Sequence, residues 1–245
     1  MKKAARIGVS ALATLVISLI VSVDGVLAGP PLLCHAIEIG EAKSLPWGGG
    51  AWQSDKIDLK DDAFVARTLE LLSPDVAVLT RMETIRRATI HAAERPKAAD
   101  ALLSGIHARV AKMNAAKEPD AIILFDLGYF MACYIQMNIV TDHNSTGYSG
   151  KERKALAVPD EPRPYELVKK SASLSPADAS IEFALALLTS YPTHAAHKTH
   201  LQNAVAGATE GSFLATNLVQ HFGRQGQTLT DLRTSFGIAA NGERR

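Results

Sequence analysis

The sequence predicts an all-α fold of antiparallel helical hairpins, either a helical-repeat-like array or an irregular bundle, with an extended N-terminal arm. Three observations carry this. Apolar residues recur at intervals of three and four over most of the chain beyond residue 60. Prolines punctuate those stretches at Pro74, Pro96, Pro119, Pro176 and Pro192, where a helix can begin but not continue. No strongly alternating apolar–polar segment marks a half-buried strand.

The chain opens with Lys2, Lys3 and Arg6, followed by an apolar run from Ile7 to Val23 and then Val26-Leu27-Ala28. This is the layout of a secretory signal peptide over residues 1–28, with cleavage expected after Ala28. The run is shorter than the roughly 20 residues that a permanent span needs. The expected location is therefore periplasmic or secreted. Residues 29–60 read as an irregular arm: they hold Pro30, Pro31, Pro46 and the run Gly48-Gly49-Gly50, flanked by Trp47 and Trp52, the only tryptophans in the chain. The arm reads as a strap pinned by two large rings. A ligand lid with an aromatic wall is the sharper alternative.

Residues 61–245 read as a single helical domain. Phe64, Thr68, Leu71 and Leu72 share the first helical face, which Ser73-Pro74-Asp75 ends while starting the next. The second helix follows with Val78, Met82, Ile85, Thr89 and Ala92, and its Glu83 and Arg87 stand at the favourable i,i+4 spacing. Leu102, Ile106, Val110 and Met113 form a third stripe. Pro119 opens a fourth helix to about Val140. The polar stretch 141–164, rich in Gly and Pro, is a candidate subdomain boundary. Helical pattern resumes over Tyr165–Leu174, after Ser175-Pro176, after Pro192-Thr193, after Gly211-Ser212 and over Thr228–Phe236. The near-even spacing of Pro74, Pro96 and Pro119 suggests stacked helices, but the tetratricopeptide pattern does not fit.

Removing the leader lowers Lys plus Arg from 26 to 23 and Asp plus Glu from 25 to 24, a net charge of −1. So neutral a balance excludes an ordinary nucleic-acid binder, which needs a basic face. No stable membrane span is expected after cleavage. The apolar stretch Ala121–Val140 is long enough to cross a bilayer, but Asp126, Gln136 and Asn138 within it favour a buried central helix. In an oxidising compartment the two cysteines, Cys34 and Cys133, are expected to pair. The bridge would close a loop of about 100 residues, for which the chain-entropy estimate is roughly 4–5 kcal/mol.

Asp126 is the residue most open to a chemical role. A carboxylate on an apolar helix must be paired, protonated or turned to a cavity. The expected partner is Arg81, Arg86 or Arg87 in a structural pair; the functional alternative makes Asp126 and Arg86 the candidate catalytic residues, with Tyr129 nearby. His194, His197 and His200 are the candidate metal ligands. Each step of three residues turns a helix by about −60°, so neighbouring pairs can share a metal while His194 and His200 diverge. Asp142, Asn144, Thr146 and Gly147 mimic the start of a calcium loop, but the twelfth position is Arg153, with Glu152 one place early. Cys34-His35 resembles the end of a haem-attachment motif whose first cysteine is replaced by Pro31. No cofactor is implied. The leading expectation is an exported interaction or scaffold module with a protein or peptide partner. The alternative is a small-molecule or metal binder, or an enzyme, with its site near Asp126 and the Arg81/Arg86/Arg87 helix.

Overall fold

Asp61 and Asp62 place negative charge at the start of the first helix, where the backbone dipole favours it, and Phe64 and Thr68 turn its inner face to the core. In this computed structural model, which describes residues 31–48, 58–143, 155–160, 163–190 and 194–238, that helix is α1 (Asp61–Glu70). It is followed by α2 (Val78–Ala92), α3 (Pro96–Ala116), α4 (Ala121–His143), α5 (Pro164–Leu174), α6 (Ala179–Leu188), α7 (His197–Gly207), α8 (Phe213–Phe222) and α9 (Leu229–Ser235). No strand occurs among the described residues, and the helices pack as a bundle.

The helix boundaries follow local chemistry. Pro96 and Pro164 stand in the first turns of α3 and α5, and the side chains of Asp178, Ser212 and Thr228 cap α6, α8 and α9. Thr228 and Asp231 form a complete capping box. Asp120 accepts from the Ile122 and Ile123 amides at the start of α4. Lys117 ends α3 in the left-handed region, φ 57°, and Pro119 follows. Several boundaries depart from the sequence reading. Pro74 lies in a turn, and α2 begins only at Val78. Pro176 lies in a turn, with α6 beginning at Ala179, and α7 begins only at His197.

Helix α4 lies at the centre, packed by α2, α3, α5 and α6. Tyr134 donates to the Ala99 carbonyl near one end of α3, and Met113 near the other end meets Asp120, so α3 and α4 are antiparallel. Arg81 meets Asp126, while Glu83 and Arg86 lie within electrostatic reach of Tyr129 and Cys133. Helices α2 and α4 therefore run in the same direction. Helices α6 and α7 form another antiparallel hairpin, with His197 against Ala186, His200 against Glu182, and Gly207 against Ala179. At Gly128 a side chain would come within 3 Å of the Pro164 carbonyl and Val168, so the glycine is what lets α5 press on α4. The stretch Ala121–Thr141 has the length and apolarity of a membrane span, and 72% of its span-like window is buried inside the bundle.

Residues 144–154 and 161–162, within the candidate boundary, lie outside the described residues, as does Trp52. Leu156 returns to α4, exchanging two hydrogen bonds with the Asn138 amide. The arm is irregular over residues 31–48 but far from peripheral. Leu32, Leu33, Ile37, Ile39 and Leu45 are buried in the core. Buried backbone without regular structure must find polar partners elsewhere. Here side chains supply them. The Leu32 amide donates to Gln136, the Ile37 amide to Glu83, and Glu38 exchanges amide and carbonyl bonds with Asn217.

Candidate functional site

Arg81 and Arg86 are five residues apart on α2, so their side chains point about 140° away from each other. This divides the charged residues of α2 into two groups. Glu83, Arg86 and Arg87 stand at i, i+3 and i+4 and face the arm. Arg86 donates to both Glu83 oxygens, at 2.8 and 2.9 Å, and to the Leu33 carbonyl at 3.0 Å. Arg87 donates to Glu83 at 2.7 Å and to the Leu45 carbonyl at 2.6 Å. The Arg86 guanidinium also lies over the Trp47 ring, 4.6 Å from its centre, and His91 meets the same ring edge-on. The bonds to the Leu33 and Leu45 carbonyls and both contacts with Trp47 tie the arm to the helix. They place Arg86, a catalytic candidate by sequence, in a structural joint, and Trp47 with it.

Arg81 faces the other way, toward α4. It is fully buried and donates to Asp126 Oδ2 at 2.7 Å, to the Val76 carbonyl at 2.9 Å, and to the carbonyls of Leu72 and Ser73. Arg109 of α3 comes within 4.0 Å of the same carboxylate oxygen and caps the end of α1 through the carbonyls of Leu69 and Leu72. Asp126 Oδ1 is buried and has no hydrogen-bond partner. Burial pushes this carboxyl up to about 6, against the opposing pull of Arg81 and then Arg109.

Asp126 sits in the wall of a cavity of about 400 Å³ where the α1–α2 turn meets α3 and α4. Leu72, Pro74, Met113, Ile122 and Ile123 give it apolar walls, while Arg109, Lys112 and Glu118 supply charge. The volume falls within the range of small-molecule sites, which combine apolar walls with a few placed polar groups. The sequence singled out Asp126 and Arg81 here. It missed Arg109, whose only signal was an arginine on the third helix, two turns before the helix end. Tyr129 does not join them. Its ring is fully buried against Phe125, and its electrostatic neighbours are Cys133, Glu83 and Arg86.

The histidine row has other uses. His194 sits edge-on to the Tyr165 ring at 4.9 Å, and His197 Nδ1 bonds the Ala186 carbonyl at 3.0 Å. His200 bonds Glu182 through Nδ1 and Tyr165 through Nε2. Among the described residues no group of three or more His, Cys, Asp or Glu side chains is placed to hold a metal. His194 precedes α7, and both it and His200 meet Tyr165, while His197 turns to the Ala186 carbonyl. Of the calcium-like loop, α4 continues through Asp142, and Asn144, Thr146, Gly147, Glu152 and Arg153 lie outside the described residues.

The expected cysteine bridge is not made. Both thiols are free and not within bridging distance. Cys133 is buried in mid-α4, while Cys34 is only partly buried, because Leu32 and Leu33 are the arm residues sent into the core. Loop length sets what a bridge could contribute, not whether its two ends meet. Burial pushes both thiols up, Cys133 far more than Cys34.

The large apolar side chains exposed among the described residues are Ile135, Ile139, Leu174 and Phe213, which lie on three separate helices. Comparison with family models, curated proteins and solved structures finds no match to this chain.

Proposed function

We propose that this is an exported small-molecule-binding protein whose site is the cavity beside Asp126. The ligand is a small amphipathic molecule. Its apolar body lies against Leu72, Met113, Ile122 and Ile123, and its hydroxyl or amine donates to Asp126 Oδ1. The single observation that carries this reading is the unpartnered, buried oxygen of Asp126, a residue that lines a cavity of about 400 Å³. A buried acceptor without a donor costs about 1–3 kcal/mol, which a ligand donor would recover. Arg81 and Arg109 support the reading by holding the carboxylate through its other oxygen, so that Oδ1 keeps its direction.

The proposed export rests on the basic, apolar and small-residue order of the first 28 residues. It has its own test: amino-terminal sequencing of protein recovered from the envelope should begin at Gly29.

The binding test is a thermal-shift screen of short-chain amphipathic alcohols and amines on the full mature chain. Native mass spectrometry of protein purified from its own envelope would run alongside it. A binder raises Tm through its preference for the folded state. Ile122→Trp, which fills the cavity from a half-buried wall position, should abolish the shift while leaving the unliganded protein folded. Stabilisation that survives Ile122→Trp would overturn the site. Recovery of a bound peptide in place of a small molecule would favour the interaction-module alternative.

A further inference from the structure

Tyr165, Glu182 and His200 come from three helices, α5, α6 and α7, and meet in one hydrogen-bonded chain. The Tyr165 hydroxyl lies 3.0 Å from His200 Nε2, and His200 Nδ1 lies 2.7 Å from Glu182 Oε2. The direction of this chain follows from what each group can donate. An ionised carboxylate only accepts, so His200 Nδ1 carries a proton and donates it to Glu182. In the neutral imidazole Nε2 is then a bare lone pair, and the phenol must donate to it. An oxygen nucleophile hydrogen-bonded to a base, with the base oriented by a third group, is the arrangement that activates weak nucleophiles for covalent catalysis.

We propose that Tyr165 is a nucleophile toward activated carboxylic esters, with His200 as its general base and Glu182 as the residue that positions His200. Unlike Tyr129 and Tyr134, which are buried in the core, Tyr165 is only partly buried. The Lys169 ammonium lies over its ring, 5.7 Å from the centre. Burial, with the charges of Glu166 and Glu182, holds the phenol above its usual range. It therefore keeps its proton until an electrophile arrives. In the forward step the phenol oxygen forms a bond to the ester carbonyl carbon while its proton passes to His200 Nε2. The ester's alcohol then leaves as the C–O bond breaks, taking that proton. An acyl-tyrosine remains. Water, losing its proton to His200, hydrolyses it to the carboxylic acid and restores the phenol.

The site is separate from the Asp126 cavity, so its test does not depend on that ligand. The full mature chain is treated with para-nitrophenyl acetate, and the adduct is mapped by peptide mass spectrometry. The expected result is a burst of nitrophenolate and an acetyl group on Tyr165. Tyr165→Phe should abolish both with little change in Tm. His200→Ala should slow acetylation by roughly 100-fold or more, the usual worth of a general base, and added imidazole should restore the adduct at Tyr165. The charged and titratable groups around His200 are Glu182 on α6, Tyr165, Glu166 and Lys169 on α5, and His194 and His197 about α7. Glu182→Gln removes the one in direct contact on α6 and should slow acetylation, while Glu182→Asp, which keeps a carboxylate, should recover part of the rate. A purely structural tie would lower Tm and leave the acetylation rate of the folded protein unchanged. Absence of the acetyl group from Tyr165, or equal rates in the protein with and without His200, would overturn the proposal.

Discussion

Glu83 and Arg86 form a fully buried, two-pronged ion pair one helical turn apart, and together they fasten the N-terminal arm to the bundle. Glu83 accepts from four donors: two on Arg86, one on Arg87 and the Ile37 amide. Removing one member of such a set strands the others. Glu83→Ala leaves the Arg86 charge and the Ile37 amide buried without this partner. The expected cost is about 3–5 kcal/mol, read as a lower urea midpoint, with amide exchange in residues 32–45 accelerated first.

The Asp126 carboxyl, raised to about 6 from 3.8, makes stability depend on pH in a direction unusual for an acid. Between pH 4 and 6 the folded state holds the proton more tightly than the unfolded state. Stability from this group is therefore fully present below pH 4 and is lost as pH rises to about 6, by up to about 3 kcal/mol. Urea midpoints of the parent and Asp126→Asn across that window should diverge with this sign. Parallel curves would show that Arg81 holds the carboxyl charged throughout.

His221 has the opposite effect. Burial lowers it from 6.5 to about 4, helped by the neighbouring His35. Its unfolded form gains a proton as pH falls below 6.5 while the folded form does not. Stability is complete above 6.5 and falls by up to about 3 kcal/mol as pH drops to 4. His221→Phe, beside Phe183 and Phe222, should remove that acid loss. Over pH 4 to 6 the Asp126 effect opposes that of His221, while His91, which burial also lowers to about 4, adds a loss of the same sign as His221.

Gly128→Val tests the contact between α4 and α5. The new side chain would meet the Pro164 carbonyl, Leu167 and Val168, and backbone cannot yield as a flexible side chain can. Overpacking of this kind costs about 1–3 kcal/mol. Thermal unfolding should show the loss, and exchange should quicken at the start of α5. An unchanged Tm would mean that α5 shifts freely on α4.

Much of the architecture was legible. Helices begin at prolines and capping side chains at Pro96, Pro164, Ser212 and Thr228, whereas Pro74 and Pro176 lie in turns ahead of their helices. These are local effects, decided within a turn of the residues concerned. The arm was legible only as irregular. That its leucines enter the core depends on Glu83, Arg86, Gln136 and Asn217, which lie up to 179 residues away in sequence.

The candidate sites divide in the same way. Helical spacing alone put Glu83, Arg86 and Arg87 on one face, but it sent His194 and His200 apart, whereas α7 begins only at His197 and both rings meet Tyr165. Spacing could not say which arginine Asp126 would meet, because Arg81 was chosen by the parallel passage of α2 beside α4. Nor could it join Tyr165 to His200 and Glu182, which the packing of three helices brings within 3.0 Å of one another in succession. By itself the sequence determined where helices start, stop and turn their apolar faces, since those follow from bonds to near neighbours. Tertiary structure decided which polar groups share the interior, leaving Cys34 and Cys133 apart and Asp126 Oδ1 unpartnered, since burial makes every such pairing depend on the whole arrangement of helices.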